Sequence, residues 1–271
     1  MKPFSAIRTS AGLRFLPIAV LALVSSQSHA ASASCEAHSS AARVSVLELY
    51  TSEGCNSCPP ADRWVSALPA RGFTADRLIP LAFHVDYWDQ LGWPDRLAKA
   101  QFSDRQRMQA QRNRASVVYT PQLLLNGADY RQSSADSRFG DRVDELNRRP
   151  AAADLSLRQR PAASAVEVEL DMRLTQTARG VAQTYIAITE NRLQSAITAG
   201  ENQGKLLQHD FVVRQLTGPL PADEAGRVHW KSAMPLRPDW KRPDLSLVAF
   251  VQDARNADIL QALHAPLCVG P

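Results

Sequence analysis

The stretch "VLELYTSEGCNSCPPAD", residues 46–62, runs from an apolar segment into two cysteines three positions apart and then into two prolines. Cys55 and Cys58 at this spacing suit a redox dithiol, half of a metal site, or a local staple. Their position is more informative than their spacing. "RVSVLELY", residues 43–50, reads as a buried strand that ends in the loop "TSEG". A helix is expected from about Asn56 to Leu68, because proline costs little in a first turn whose amides have no intrahelical acceptor. A cysteine at such a helix start meets the positive end of the helix dipole, which favours its thiolate. On this reading Cys55 is the nucleophile. Cys58, one turn further in, is the resolving thiol that attacks a mixed disulfide and frees the partner.

Working outward, "LIPLAFHVDYW" at 78–88 is a second apolar strand, and the polar, helix-forming residues 94–113 give one or two helices. Residues 121–131 give two short strands joined by Asn126-Gly127, a dipeptide suited to a tight hairpin. Residues 134–149 read as a further helix. The order strand, helix, strand, helix, strand, strand, helix is that of a minimal thioredoxin fold (βαβαββα), assigned to residues 43–150. In that fold the start of the hairpin strand carries a cis-proline beside the cysteines, and here the position is held by Thr120-Pro121. Proline is needed because a cis bond before any other residue costs about 2.5–4 kcal/mol. Thr120 then offers its backbone to an extended peptide, and Pro121 shields the cysteines from stray metal.

Past Pro150 the pattern changes. "AVEVELDMRL" at 165–174 alternates strictly between apolar and charged residues, so one face of that strand is wet. "TYIAITE" and "SLVAFVQD" add further strands. A second, smaller and mainly antiparallel β domain is expected over 151–271, with an N-terminal segment at 31–42 before the first domain. Residues 1–30 read as a secretory signal: Lys2, Arg8 and Arg14 accompany the apolar run "FLPIAVLALV", and "SHA" offers small residues for cleavage. That ten-residue run is too short to span a bilayer, which takes about 20 residues. The mature chain is therefore expected to be secreted or periplasmic, without membrane insertion.

The signal holds three of the 31 basic residues and none of the 27 acidic ones, so its removal leaves 28 against 27. A nucleic-acid partner would need clustered cations that survive processing. The strongest basic run, "RQRMQAQRNR" at 105–114, reads as a solvated helix face. Export favours disulfides, and Cys55 with Cys58 is the natural local pair. That leaves Cys35 and Cys268 as a structural bond closing most of the mature chain, an arrangement worth at most about 5 kcal/mol on chain entropy.

Taken together, "VLELYTSEGCNSCPPAD", "FHVDYWDQLGW", "VYTPQLLLNG" and the "GENQG" at 200–204 resemble an uncharacterised family of secreted, mostly bacterial proteins. The family is catalogued as a domain of unknown function. The resemblance implies a thioredoxin-like fold over most of the mature chain and brings no substrate with it. Ordinary thioredoxins carry a tryptophan before the first cysteine and a buried acid six positions before it, where this chain has Gly54 and Leu49. Glu48 is the neighbouring acid, on the opposite strand face, and is a possible auxiliary for deprotonating Cys58. Its alternative is a salt-bridged or solvent-facing role.

Ligands of open α/β sheets collect at the carboxyl ends of the strands, the end that carries Cys55. There Asp86, Trp88 and Trp93 suit a platform for a peptide or small thiol, with Asp86 as a possible proton acceptor and His84 as a possible auxiliary. The alternative makes His84 a hydrogen-bonded core residue and packs the tryptophans over the sheet edge. The remaining histidines, His38, His209, His229 and His264, show no metal-ligand spacing.

Three functions follow. The first is an exported thiol-disulfide oxidoreductase acting through Cys55 and Cys58 on a protein or small-thiol partner, with no cofactor beyond the redox disulfide. The second is a binding module with two structural disulfides. The third is a Cu(I) site built from Cys55, Cys58 and His84, which a fixed cis-proline over the sulfurs disfavours. No nucleophile elbow, zinc-protease helix, P-loop or dinucleotide fingerprint is present, so electrons must come from a partner.

Overall fold

The strand expected at 43–50 forms at Ser45–Thr51, and the helix expected from about Asn56 begins three residues later, at Pro59. The computed structural model describes residues 1, 3–4, 34–131, 138–175 and 182–268. The expected signal and the first residues of the helix expected over 134–149 fall largely outside them. The elements are β1 (Cys35–His38), β2 (Ser45–Thr51), α1 (Pro59–Ser66), β3 (Leu78–His84), α2 (Ala100–Arg112), β4 (Gln122–Leu125), β5 (Ala128–Asp129) and α3 (Phe139–Asn147). They continue with β6 (Ala153–Pro161), β7 (Ala165–Leu174), β8 (Ala182–Glu190), β9 (Leu193–Ala196) and β10 (Leu206–His209). The last are β11 (Val212–Pro221), β12 (Arg227–Pro235), β13 (Leu245–Asp253) and β14 (Ile259–Pro266). The result is a mixed α/β chain, mostly sheet. No helix among the described residues is long and apolar enough to cross a membrane.

Eight strands form one sheet in the order β14-β13-β8-β11-β3-β2-β4-β5. β2 and β3 are parallel, with Thr51 opposite His84, so their carboxyl ends open side by side. The β4–β5 hairpin turns through Asn126 and Gly127 at φ of 48° and 79°. Glycine is doubly required there, because a Cβ would lie 2.0 Å from the carbonyl oxygen of Ala257.

The boundary expected near residue 150 does not separate two sheets. β11 adds to β3 in parallel at Val212 and Ala82, and β8, β13 and β14 follow it. The reason lies in β8 and β13, which are buried on both faces and need cover on each side. On one face Tyr185, Val248 and Phe250 pack with Phe83 and with Phe102 of α2. On the other, Ile186, Ile188, Leu247 and Ala249 pack against Val166, Val168 and Leu170 of a second, four-stranded antiparallel sheet, β1-β6-β7-β12. The alternating strand β7 keeps its wet face outward, as its pattern requires. A disulfide joins Cys35 of β1 to Cys268, just past β14.

The basic run at 105–114 is only partly a solvated face. Arg107 is exposed and pairs with Asp104, but Arg105, Gln106 and Gln109 are buried against the sheet. Arg105 meets Glu48 there, in a pair that fixes α2 to β2.

Candidate functional site

Cys55 and Cys58 are joined by a disulfide with their Cα atoms 5.5 Å apart. The amide of Cys55 donates to the carbonyl of Ser52 and that of Cys58 to the carbonyl of Cys55, a tight turn that delays the helix to Pro59. Pro59 and Pro60 have no N–H, so the first helical donors are Ala61 and Asp62, both to the carbonyl of Cys58. The helix start thus offers fewer unpaired amides than a first turn without prolines. Cys55 Sγ lies 3.4 Å from the hydroxyl of Ser57. Both cysteines are 0% exposed, although Asn56 and Ser57 between them face solvent.

The β9–β10 hairpin, whose connecting loop contains "GENQG", is bonded to the cysteine turn. The side-chain amide of Asn202, itself buried, donates to the carbonyls of Glu53 at 2.8 Å and Cys55 at 2.9 Å. Its Oδ1 accepts from Lys205 Nζ at 2.8 Å. The Asn56 amide donates to the carboxylate of Glu201 at 3.1 Å. Gly200, at φ +73°, lets the loop reach Trp93, since a Cβ there would stand 3.1 Å from that of Trp93. Asn202 was missed in the sequence as a site residue; its one signal was the family-like "GENQG".

Thr120-Pro121 is cis, as expected. Because Gln122 pairs with Tyr50, Pro121 stands at the carboxyl end of β2, beside the strand that leads into the cysteine turn. Trp88 links the two: its Nε1 donates to Thr120 Oγ1 at 2.8 Å, and its backbone and Cβ crowd Gly54 so closely that a Cβ at 54 would come within 3.3 Å. Trp93 donates to Glu53 at 2.8 Å. Trp88 and Trp93 therefore flank the cysteine turn, both half-buried. Asp86 does not share a strand face with His84, since β3 ends at His84; its carboxylate accepts from Ser103 of α2. Glu48 shares the Tyr50 face of β2 and is occupied by Arg105, away from α1.

Under the cysteine turn lies a buried set of charges. His84 Nδ1 is 2.6 Å from Asp95 Oδ2, which also accepts from the amide of Glu53 at 2.9 Å. His209, brought in by β10, lies 3.3 Å from Glu53 and meets the His84 ring edge-on at 4.9 Å. In sequence it looked unattached. Thr51 donates to Asp62 of α1 at 3.2 Å. Burial raises the Asp62 pKa, against the opposing charges of His209 and His84. For Asp95, burial pushes the pKa up, but the charge and hydrogen bond of His84 outweigh it and bring it down to about 2. For His84, burial pushes down and the Asp95 charge more than reverses it, so its pKa is raised.

The signs give a pH prediction. Asp95 contributes stability in full above its ordinary 3.8, lost as pH falls toward about 2. His84 contributes in full below its ordinary 6.5, lost as pH rises through its raised value. Urea midpoints should therefore show this pair's full contribution between pH 3.8 and 6.5. Asp95→Asn should flatten both limbs; an unaltered profile in that variant contradicts the assignment.

Among the described residues, ligand atoms of three candidate metal-binding groups come within 4.8 Å of one another at Glu169, Asp171 and His229, on the four-stranded sheet. Cys55, Cys58 and His84 do not form such a group.

Fold and site define a mixed α/β protein with a disulfide-bonded Cys-x-x-Cys at a helix start, a cis-proline at the same sheet end and a hairpin loop bonded to the cysteine turn. Residues 46–252 match the model of a family described as "protein of unknown function (DUF1223)", and the chain belongs to that family. Among curated proteins none matches. Similar solved structures include a protein from Agrobacterium tumefaciens, 27% identical with a TM-score of 0.57, covering 82% of this chain and 94% of that one. HBP35 of Porphyromonas gingivalis is 15% identical with a TM-score of 0.64, covering 84% of this chain and 76% of its own, a likeness of fold alone.

Proposed function

We propose that this protein is an exported thiol-disulfide oxidoreductase with a thioredoxin-like core, β2 to α3, that exchanges disulfides with a protein or small-thiol partner. The observation that carries the reading is the Cys55–Cys58 bond at the start of α1, with the cis-Thr120-Pro121 peptide at the same end of the sheet. A partner thiolate attacks Cys55 Sγ, the Cys55–Cys58 bond breaks, and Cys58 leaves as a thiolate. A second partner thiolate then attacks the mixed disulfide at the partner's sulfur, leaving the partner oxidised and both cysteines reduced once Cys55 takes up a proton. Run backwards, the same steps reduce a partner disulfide. Since both sulfurs are buried, exchange requires the cysteine turn to open, a motion restrained by the bonds of the β9–β10 loop to that turn.

The burial of both cysteines favours the second reading, a binding module in which this disulfide is structural. Copper binding has less support, because Cys55, Cys58 and His84 do not come together as a ligand set among the described residues.

The test is to incubate reduced native protein with glutathione disulfide and identify adducts by mass spectrometry. Exchange predicts a mixed disulfide on Cys55 that accumulates in Cys58→Ser and resolves in the wild type. Cysteines that react only in denaturant favour the structural reading.

A further inference from the structure

Away from the cysteines, Arg96, Lys99, Arg214, Arg237, Asp239 and Trp240 line a cavity of about 280 Å³. Four cations thus face one carboxylate. Arg214 is further held by Glu190 at 2.6 Å behind it, and Arg237 by Asp239 at 3.0 Å. Arg96 and Lys99 have no carboxylate partner among the described residues. Arg96 donates to the carbonyl of Gln194 and to Ser195 Oγ, and Lys99 to the carbonyl of Arg214. All three acceptors are neutral, so two positive charges in a half-enclosed space stay uncompensated. Burial, then the charges of Arg214 and Arg237, lower the Lys99 pKa.

Trp240 supplies one wall of the cavity. Trp240 is 8% exposed, and its indole N–H is buried with no acceptor among the described residues. The Arg214 guanidinium lies 5.0 Å from its ring centroid. This cavity has an excess of donors and positive charge and a shortage of acceptors, the complement of an oxyanion. Its size, near the lower end of small-molecule pockets at about 300 Å³, suits one small molecule.

We propose that this cavity binds a small anionic molecule through a phosphate or carboxylate group. The site is independent of the redox reading and would stand if that reading failed.

The experiment is thermal unfolding of the purified protein at fixed ionic strength, with chloride replaced stepwise by inorganic phosphate or by citrate. A saturable rise in Tm is expected with at least one probe. A rise with phosphate alone identifies a phosphate ligand, and a rise with citrate alone a carboxylate. Arg237→Gln, an exposed change, and Lys99→Gln should each weaken binding about tenfold or more, the scale of a lost charge-assisted hydrogen bond. Trp240→Phe should weaken it less, and Arg107→Gln on α2 should leave it unchanged. No saturable rise with either probe, or an equal rise in Arg237→Gln and Lys99→Gln, overturns the proposal.

Discussion

Asn202→Ala is expected to speed reduction of the Cys55–Cys58 disulfide in the native protein by about 5- to 150-fold, with no change at Cys35–Cys268. A reductant cannot reach a sulfur that is 0% exposed, so its rate is set by how often the cysteine turn opens. In the closed state Asn202 supplies hydrogen bonds to the carbonyls of Glu53 and Cys55, and alanine removes both. Each is worth about 0.5–1.5 kcal/mol net, and leaving the carbonyls buried without a donor adds to the loss. Opening thus becomes easier by about 1–3 kcal/mol, which converts to the stated range. Dithiothreitol treatment, quenched by alkylation and read by mass spectrometry, follows both disulfides in one sample. The distant bond serves as an internal control against general unfolding. An unchanged rate in a folded Asn202→Ala protein means that this loop does not limit access.

The second large effect is on stability. Glu48→Ala should cost about 3–5 kcal/mol, the range for breaking a buried ion pair from one side. Glu48 accepts from Arg105 at 2.7 and 2.9 Å, from the Tyr50 hydroxyl at 2.7 Å and from Gln109 at 3.3 Å, all in the core under α2. Its removal strands the Arg105 guanidinium among the rings of Phe83, Tyr185 and Phe250. Tyr50 stays a donor at any ordinary pH, because burial and then the Glu48 charge raise its pKa well above 10.0. Replacing both partners with apolar residues, as in Glu48→Leu with Arg105→Met, should recover much of the loss, since no charge is then left buried. Urea unfolding of the two variants measures this; equal losses in the single and double variants contradict it.

This pair also shows where the sequence was hard to read. Arg105 lies in a run of arginines and glutamines that resembles a solvated face, and only the extended sheet puts Tyr185 and Phe250 over it. The seven elements from β2 to α3 were legible because apolar runs, the Asn126-Gly127 turn and the paired prolines are local signals. The fusion of both halves into one sheet was not, because a strand buried on both faces does not name its neighbours. The same holds for the site. Cys55, Cys58, Thr120 and Pro121 stand within local motifs, and both cysteine pairings follow from elimination among four residues. Asn202 and His209 arrive from about 150 residues away on a hairpin whose destination is a tertiary fact. Likewise Asp95 gave no signal as the partner of His84, because the chain loops back between them.

The most direct test is the reduction potential of the Cys55–Cys58 pair in the folded protein, obtained by equilibrating it in glutathione or dithiothreitol buffers and counting alkylated thiols. An exchange pair should titrate reversibly at a potential above about −300 mV while Cys35–Cys268 remains oxidised. If the two disulfides instead yield together, below that potential and only as the protein unfolds, the pair is a structural bond and the oxidoreductase account is contradicted.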